Sequence, residues 1–220
     1  MRIELVHRVE FIKRMCKDKK VLHLGCTNFP YTENSIKDGS LLHFQLMQIC
    51  RELYGIDADE RGIEELRHHG VKNLYKGDLE KLEESSLNEK FEVIVAGEVI
   101  EHLSNPGLFL NGIKRFMNSE TILIITTINA YSGLRFAIYA LRGKGGENEP
   151  VHPDHVAYYS YRTLNLIVKR AGLKVENFYF YDIGPEHRIY NPWYYNFVND
   201  VAVKISRQLA DGVIAVCKIA

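Results

Sequence analysis

Nothing in these 220 residues offers a disulfide frame: Cys16, Cys26, Cys50 and Cys217 are scattered, and no two stand as C-x-x-C. That spacing excludes a stapled secreted scaffold and a zinc knuckle, and it predicts reduced thiols in a cytoplasmic protein. Long apolar runs are missing too. The longest, Thr121 to Ile128, is under half of the roughly 20 residues that cross a bilayer. The first twenty residues carry charges throughout, so no secretory leader is expected. Charge of one sign is not in excess: 28 Lys plus Arg face 28 Asp plus Glu, and the formal net charge is zero. This weighs against a nucleic-acid partner held by a broad basic surface, which needs many cationic phosphate contacts. There is no internal repeat and no low-complexity tract.

What is present is an ordinary globular composition, 46% hydrophobic, 25% charged and 11% aromatic. A chain of this length buries roughly 70% of its unfolded surface, so one domain over 1–220 is expected. Short apolar runs alternate with helical spacing. Strands are predicted at Val21–Leu24, Leu53–Ile56, Asn73–Tyr75, Phe91–Ala96, Ile122–Thr126, Leu173–Tyr181 and Val213–Cys217. Helices are predicted over Ser40–Leu53, Arg61–His69, Pro106–Phe116, Leu134–Leu141, Tyr161–Ala171 and about Asn196–Leu209. An N-terminal helix carrying Leu5, Val9 and Ile12 packs either on the sheet or on a second subunit. The pattern implies an α/β fold: a Rossmann-like, seven-stranded, mostly parallel sheet flanked by helices. Insertions at 131–155 and 184–210 are expected to form a cap.

Ligands of open α/β sheets bind at the carboxyl ends of the strands. Gly25 ends the first strand, and glycine lets a ligand approach the backbone. Cys26-Thr27-Asn28 follows without the G-x-G-x-x-G spacing of a phosphate loop, so a dinucleotide fits poorly. Asp57, followed by Ala58, ends the second strand, 32 residues after Gly25 rather than the ~20 of a dinucleotide fold. A carboxylate there can accept from both ribose hydroxyls. Asp78, beside Leu79, ends the third strand and can accept from a purine amine. Together Gly25, Asp57 and Asp78 describe an adenosine site without phosphates.

These pieces resemble the S-adenosylmethionine-dependent methyltransferases with a Rossmann-like fold. The resemblance runs over about residues 19–181, through KVLHLGCTN, LYGIDADERGIEEL, LYKGDLEKL and FEVIVAGEVIEHLSNPGLFLNGI. Glu98-Val99-Ile100-Glu101-His102, then Asn105-Pro106, is similar to the subgroup that includes ubiquinone-pathway O-methyltransferases. The resemblance implies that Gly25, Cys26 and Thr27 border the methionine moiety and that Asp57 and Ala58 meet the ribose. It further implies that Asp78 and Leu79 bracket the adenine, and that Gly97 and Glu98 line the floor. The family usually has an acid where this chain has His23, and a second glycine where it has Thr27.

Glu98, Glu101 and His102 are spaced to converge on one face if the segment is helical. Two carboxylates and an imidazole can hold a divalent ion such as Mg²⁺, Mn²⁺ or Zn²⁺. The resemblance associates E-x-x-E-H with a metal, and His155, in His152-Pro153-Asp154-His155, is placed to complete the set. The alternative is that Glu98 lines the cofactor pocket and Glu101-His102 opens a loop without metal. His155, His102 and Glu98 are the candidate catalytic groups, with either histidine able to take the acceptor's proton. Tyr158, Tyr159, Tyr161, Tyr179, Tyr181, Tyr190, Trp193, Tyr194 and Tyr195 suggest an aromatic acceptor pocket. The resulting expectation is O-methylation of a small-molecule hydroxyl. An RNA ribose 2′-O-methyltransferase and a catalytically silent cofactor-binding partner protein are the alternatives.

Overall fold

Two adjacent central strands set the frame. β2 (Lys20–Leu24) and β5 (Val93–Gly97) run parallel, pairing Leu24 with Ala96, and from them the sheet grows in opposite directions. The computed structural model describes residues 3–142, 153–184, 188–189 and 191–220. On one side lie β3 (Glu52–Asp57) and β4 (Leu74–Lys76); on the other, β6 (Ile122–Ile128), β8 (Gly212–Ile219), β7 (Leu173–Tyr181) and β1 (Leu5–Val6). The order is β1-β7-β8-β6-β5-β2-β3-β4, with β8 antiparallel to both neighbours and every other pair parallel. β2 and β5 are fully buried save their end residues and, apart from His23 in β2, read as apolar runs, as parallel strands covered on both faces do.

The sheet has eight strands, not the seven expected from sequence. The extra strand is β1, which pairs Leu5 with Phe180 and Val6 with Tyr181. Two residues are too few to show a period, so the segment reads as the start of a helix. The helix that follows, α1 (Arg8–Cys16), settles the N-terminal question: Phe11, Ile12 and Cys16 are buried against Val21, Val93, Val95 and Ile124 of the chain's own sheet.

Two short helices, α2 (Thr32–Lys37) and α3 (Leu42–Met47), fold within the connection after β2. The predicted Ser40–Leu53 helix therefore stops at Met47. Arg51 and Glu52 instead donate their backbone N–H groups to Lys19 O and draw the chain into β3. α4 (Glu60–His68) starts at Asp59, whose side chain accepts from Gly62 N, and ends before Gly70, which takes φ +80. α5 (Pro106–Gly112) opens on its proline and continues as a 3₁₀ turn over Ile113–Phe116. α7 (Tyr161–Arg170) has a reciprocal Ser160–Thr163 capping box.

α5 and α7 cover one face, where Leu22, Leu24, Ile94, Phe109, Leu164 and Val168 share a core. Burying each such side chain contributes about 1.5–3 kcal/mol. Within the expected cap, α6 (Gly133–Arg142) and α8 (Trp193–Ile205) pack together so closely that a Cβ at Gly133 would lie 2.5 Å from Ala202 Cβ. Residues 143–152, including the glycine run and His152, lie outside the described residues. Among the described residues, no helix is long and apolar enough to cross a membrane.

Candidate active site

Register brings the strand ends together. Leu24 pairs with Ile56 and Asp57 with Lys76, so the tips of β2, β3 and β4 stand side by side. Gly77 N donates to Asp57 O at 2.9 Å, and Gly25 N donates to Ile56 O at 2.9 Å. The order of connection reverses between β2 and β5, which is where open α/β sheets place their ligands.

Gly25 takes φ +68, and a Cβ there would lie 2.5 Å from Val99 Cγ2. The Cys26 thiol turns inward: a Cβ on Gly55 would meet its Sγ at 2.7 Å, and burial pushes the thiol's pKa well up. Only the backbone of Cys26 is thus suited to meet a ligand at the cleft. Asp57 is held by the loop it faces. Its Oδ2 accepts from Thr27 N and Thr27 Oγ1, both at 2.9 Å, and its Oδ1 accepts from Asp59 N at 2.9 Å. Ala58 is exposed at the tip. Asp78 caps the 3₁₀ turn Leu79–Glu84 by accepting from Glu80 N at 2.9 Å, and Leu79 is buried beside it.

Glu98, Glu101 and His102 do not share a helical face. Glu98 has φ +56, which breaks any helix there, and only Ile100–His102 forms a 3₁₀ turn. Glu98 swings toward β6 and β7, where its Oε1 accepts from Tyr181 Oη at 2.5 Å and from Thr126 Oγ1 at 3.1 Å. Arg8 Nε lies 3.6 Å from the same oxygen and donates to Thr126 Oγ1 at 3.0 Å. Of the four expected metal ligands, the ligand atoms of Glu101, His102 and His155 lie within 4.8 Å of one another. Glu98 is outside that group.

His155 arrives through backbone pairing. Val156 N and Ala157 N both donate to Glu101 O, at 2.8 and 3.3 Å. The His102 and His155 rings then meet edge-on, centroids 4.5 Å apart. Glu101 is wholly buried, and neither carboxylate oxygen has a hydrogen-bond partner among the described residues. Burial first, and the Glu98 charge second, push its carboxyl up to about 8. Tyr159, buried nearby, is pushed up to about 12 by the same two kinds of cause, burial and the Glu101 charge.

The aromatic residues do not form one pocket. Tyr159 and Tyr181 are buried near the strand tips, Tyr179 packs on Phe11 across the sheet, and Tyr161 packs on Phe178. Trp193, Tyr194 and Tyr195 cluster on α8, and Tyr190 lies outside the described residues. Alternation and helical spacing dispersed them to different faces. One surface hollow of about 270 Å³ joins two of this group, Tyr161 and Tyr179, with Glu4 and Phe178, and another of about 230 Å³ lies between Phe29 and α4. Neither is built from the strand-tip side chains, whose chemistry defines the site.

His23 is a core residue, not a ligand: its Nδ1 lies 3.2 Å from His43 Nδ1, both rings are buried, and burial lowers both pKa values. Two functional candidates escaped the sequence. Arg8 opens α1 and reaches the floor, where a Cβ on Gly97 would meet its Nη2 at 3.0 Å. Tyr181 was legible only as one aromatic among many. The signal for both was position: an arginine opening a helix with an apolar face, and a polar aromatic ending a strand.

The matches to known proteins agree with this arrangement. A family model described as "Methyltransferase domain" matches residues 6–177. A ubiquinone biosynthesis O-methyltransferase of Rhodopseudomonas palustris is 30% identical over 165 residues, covering 70% of this chain and 61% of that protein. One of Pelagibacter ubique is 27% identical over 129 residues, covering 58% of this chain and 48% of that protein. The chain spans about half the length of the curated relatives it matches. Among solved structures, a SAM-dependent methyltransferase from Archaeoglobus fulgidus superposes with TM-score 0.58 at 18% identity, covering 96% of this chain and 94% of that one. The magnesium protoporphyrin IX methyltransferase of Synechocystis, solved with bound SAH, gives 0.59 at 13% identity, with 97% and 82% covered. With an eighth strand that runs antiparallel to its neighbours and a family match over most of its length, the chain belongs to the methyltransferase-domain family.

Proposed function

We propose that the chain binds S-adenosylmethionine across the tips of β2, β3, β4 and β5 and transfers its methyl group to a hydroxyl of a small molecule. The observation that carries the reading is the side-by-side placement of Gly25, Asp57 and Asp78 at the switch point. Asp57 would take the ribose hydroxyls, Asp78 and Leu79 the adenine, and the backbone of Gly25 and Cys26 the methionine tail. The relatives' shared name, ubiquinone biosynthesis O-methyltransferase, supports a hydroxyl acceptor. The free thiols support a cytoplasmic setting.

In the transfer the acceptor oxygen forms a bond to the methyl carbon while the carbon–sulfur bond breaks, leaving a neutral thioether. The hydroxyl proton passes to a base. His102 and His155 would receive it, a reading supported by their rings meeting edge to face. Holding donor and acceptor in line supplies much of the acceleration. α6 and α8 would cap the cleft and keep water, a competing nucleophile, from the sulfonium.

The Glu101, His102 and His155 cluster also fits a divalent ion. An orphaned, fully buried carboxylate beside two imidazoles is a donor set that a cation would satisfy. Such an ion would acidify the acceptor hydroxyl. Titration of the protein with S-adenosylhomocysteine by calorimetry tests the reading. Binding that Asp57→Ala removes is expected; equal binding by the variant contradicts the site.

A further inference from the structure

Two cysteines far apart in the sequence meet at the end of the sheet opposite the cleft. Cys16 is the last residue of α1 and is wholly buried. Cys50 lies just before β3 and is half-buried. Both belong to the core around Val21 and Leu46, Cys16 within it and Cys50 packed against it. Backbone bonds fix the encounter on either side of Cys50. Asp18 N donates to Ile49 O at 2.9 Å, and Arg51 N donates to Lys19 O at 3.0 Å. Cys50 N itself donates to Leu46 O at 2.9 Å, and Arg51 Nη1 adds a bond to Asp18 O at 3.1 Å. The segments entering β2 and β3 are thus fastened together, and the two thiols are hydrogen-bonded to each other. Sulfurs that already face one another meet the first geometric condition for a disulfide.

The pair is also chemically unequal. The Cys16 thiol donates to Cys50, which holds the Cys50 thiol below its ordinary value and pushes the Cys16 thiol up, with burial adding to the second effect. Cys50, the more exposed of the two, is therefore the sulfur that can present a thiolate to a small oxidant. Cys26 and Cys217 have neither feature. Both are buried, and burial pushes their thiols up, Cys217 to about 12.

We infer that Cys16 and Cys50 form an oxidisable dithiol site, with a peroxide as its oxidant and an intramolecular disulfide as its product. The Cys50 sulfur attacks hydrogen peroxide: a sulfur–oxygen bond forms, the oxygen–oxygen bond breaks, and the leaving oxygen departs as water with the thiol's proton. The Cys16 sulfur then attacks the sulfenic acid on Cys50. A sulfur–sulfur bond forms, the sulfur–oxygen bond breaks, and the hydroxyl leaves with the Cys16 proton as a second water. The two thiols lose two electrons, and the peroxide gains them. The bond would close residues 17–49 into a loop that carries β2 and the Gly25–Thr27 turn, which restricts the unfolded chain. In a reducing compartment such a pair rests as the dithiol and is oxidised transiently.

The full chain is reduced, exposed to hydrogen peroxide, alkylated under denaturing conditions and mapped by peptide mass spectrometry. A Cys16–Cys50 cross-link is expected, with Cys26 and Cys217 alkylated and dithiothreitol restoring all four thiols. Cys16→Ala should instead leave a sulfenic acid on Cys50 that dimedone traps, and Cys50→Ser should leave Cys16 alkylated. The oxidised wild type should melt several degrees above the reduced one. Four alkylated cysteines after peroxide overturn the inference, as does a cross-link through Cys26 or Cys217, or Cys50 carried to sulfinic acid while Cys16 stays free. A cross-linked form that melts below the reduced one also contradicts it, because the bond would then not close across the native contact. Should Cys16→Ala fail to fold, the wild-type map decides alone.

Discussion

Val99 stands where any side chain at Gly25 would have to go: its Cγ2 lies 2.5 Å from the position of a Cβ on that glycine. The contact locks the loop after β2 onto the loop after β5, the two loops that flank the switch point. Gly25→Ala is expected to lower stability by about 2–4 kcal/mol, from the positive φ and the overlap together. Urea unfolding should show Gly25→Ala and Val99→Ala combining non-additively, because the second change removes the overlap while leaving the strained φ. Strict additivity would mean the two loops do not touch as described.

Thr27 competes with the ligand for Asp57. The carboxylate offers roughly four acceptor sites, and three bonds from Thr27 and Asp59 already occupy it. Two ribose hydroxyls exceed the remainder, so one bond must yield, and the Thr27 hydroxyl is the replaceable donor. Thr27→Val is expected to tighten S-adenosylhomocysteine binding several-fold while lowering stability by about 0.5–1.5 kcal/mol. Weaker binding in this variant would count against Asp57 as the ribose acceptor.

Glu101 should leave a signature in the pH dependence of stability. Its carboxyl is pushed from 4.5 up to about 8. Between those values the unfolded chain has released a proton that the folded chain keeps, so this group makes stability fall as pH rises from about 4.5 to about 8. Glu101→Gln lacks that loss. It is expected to be more stable than wild type at pH 8 by a few kcal/mol (order of magnitude) and to converge with it near pH 4.5. Added Mn²⁺ or Zn²⁺ should raise the wild-type melting temperature at pH 8 and leave the variant unmoved. A flat difference between pH 4.5 and 8 would show that Glu101 is solvated.

The histidine pair works in the opposite direction. His23 and His43 are both lowered from 6.5, His43 to about 4, chiefly by burial. As pH falls below 6.5 the unfolded chain takes up protons that the folded core refuses, so stability is lost between pH 6.5 and about 4. At 1.36 kcal/mol per unit, His43 alone accounts for about 3 kcal/mol. His43→Leu, which also removes a buried Nε2 with no hydrogen-bond partner among the described residues, should retain more stability at pH 5 than wild type does, relative to pH 7.5. Identical acid sensitivity in urea titrations would place both rings in water.

Much of this arrangement was readable in the residues themselves. The central strands announced themselves as apolar runs because parallel strands buried on both faces demand them, while β7, with exposed Lys174, Glu176 and Asn177, was legible by alternation. Gly70 and Gly172, at φ +80 and +75, ended helices where punctuation by glycine predicts. β1 was invisible because two residues carry no period, and it exists only because β7 offers an edge. The E-x-x-E-H spacing misled about Glu98: a helical template presumes continuous helical φ, and a single left-handed residue sent the carboxylate to Tyr181, 83 positions away. Contacts of that sequence separation leave no local trace, which is also why Arg8 and Thr126 went unseen. His155 was placed with Glu101 and His102 from its sequence context; the backbone bonds from Val156 and Ala157 to Glu101 O are what hold it there.

The most direct measurement is a crystal structure grown with S-adenosylhomocysteine. The account predicts the ribose hydroxyls on Asp57, the adenine between Asp78 and Leu79, and the methionine tail along the backbone of Gly25 and Cys26. Adenine density away from β3 and β4, or a cleft that stays empty at saturating ligand, would contradict it.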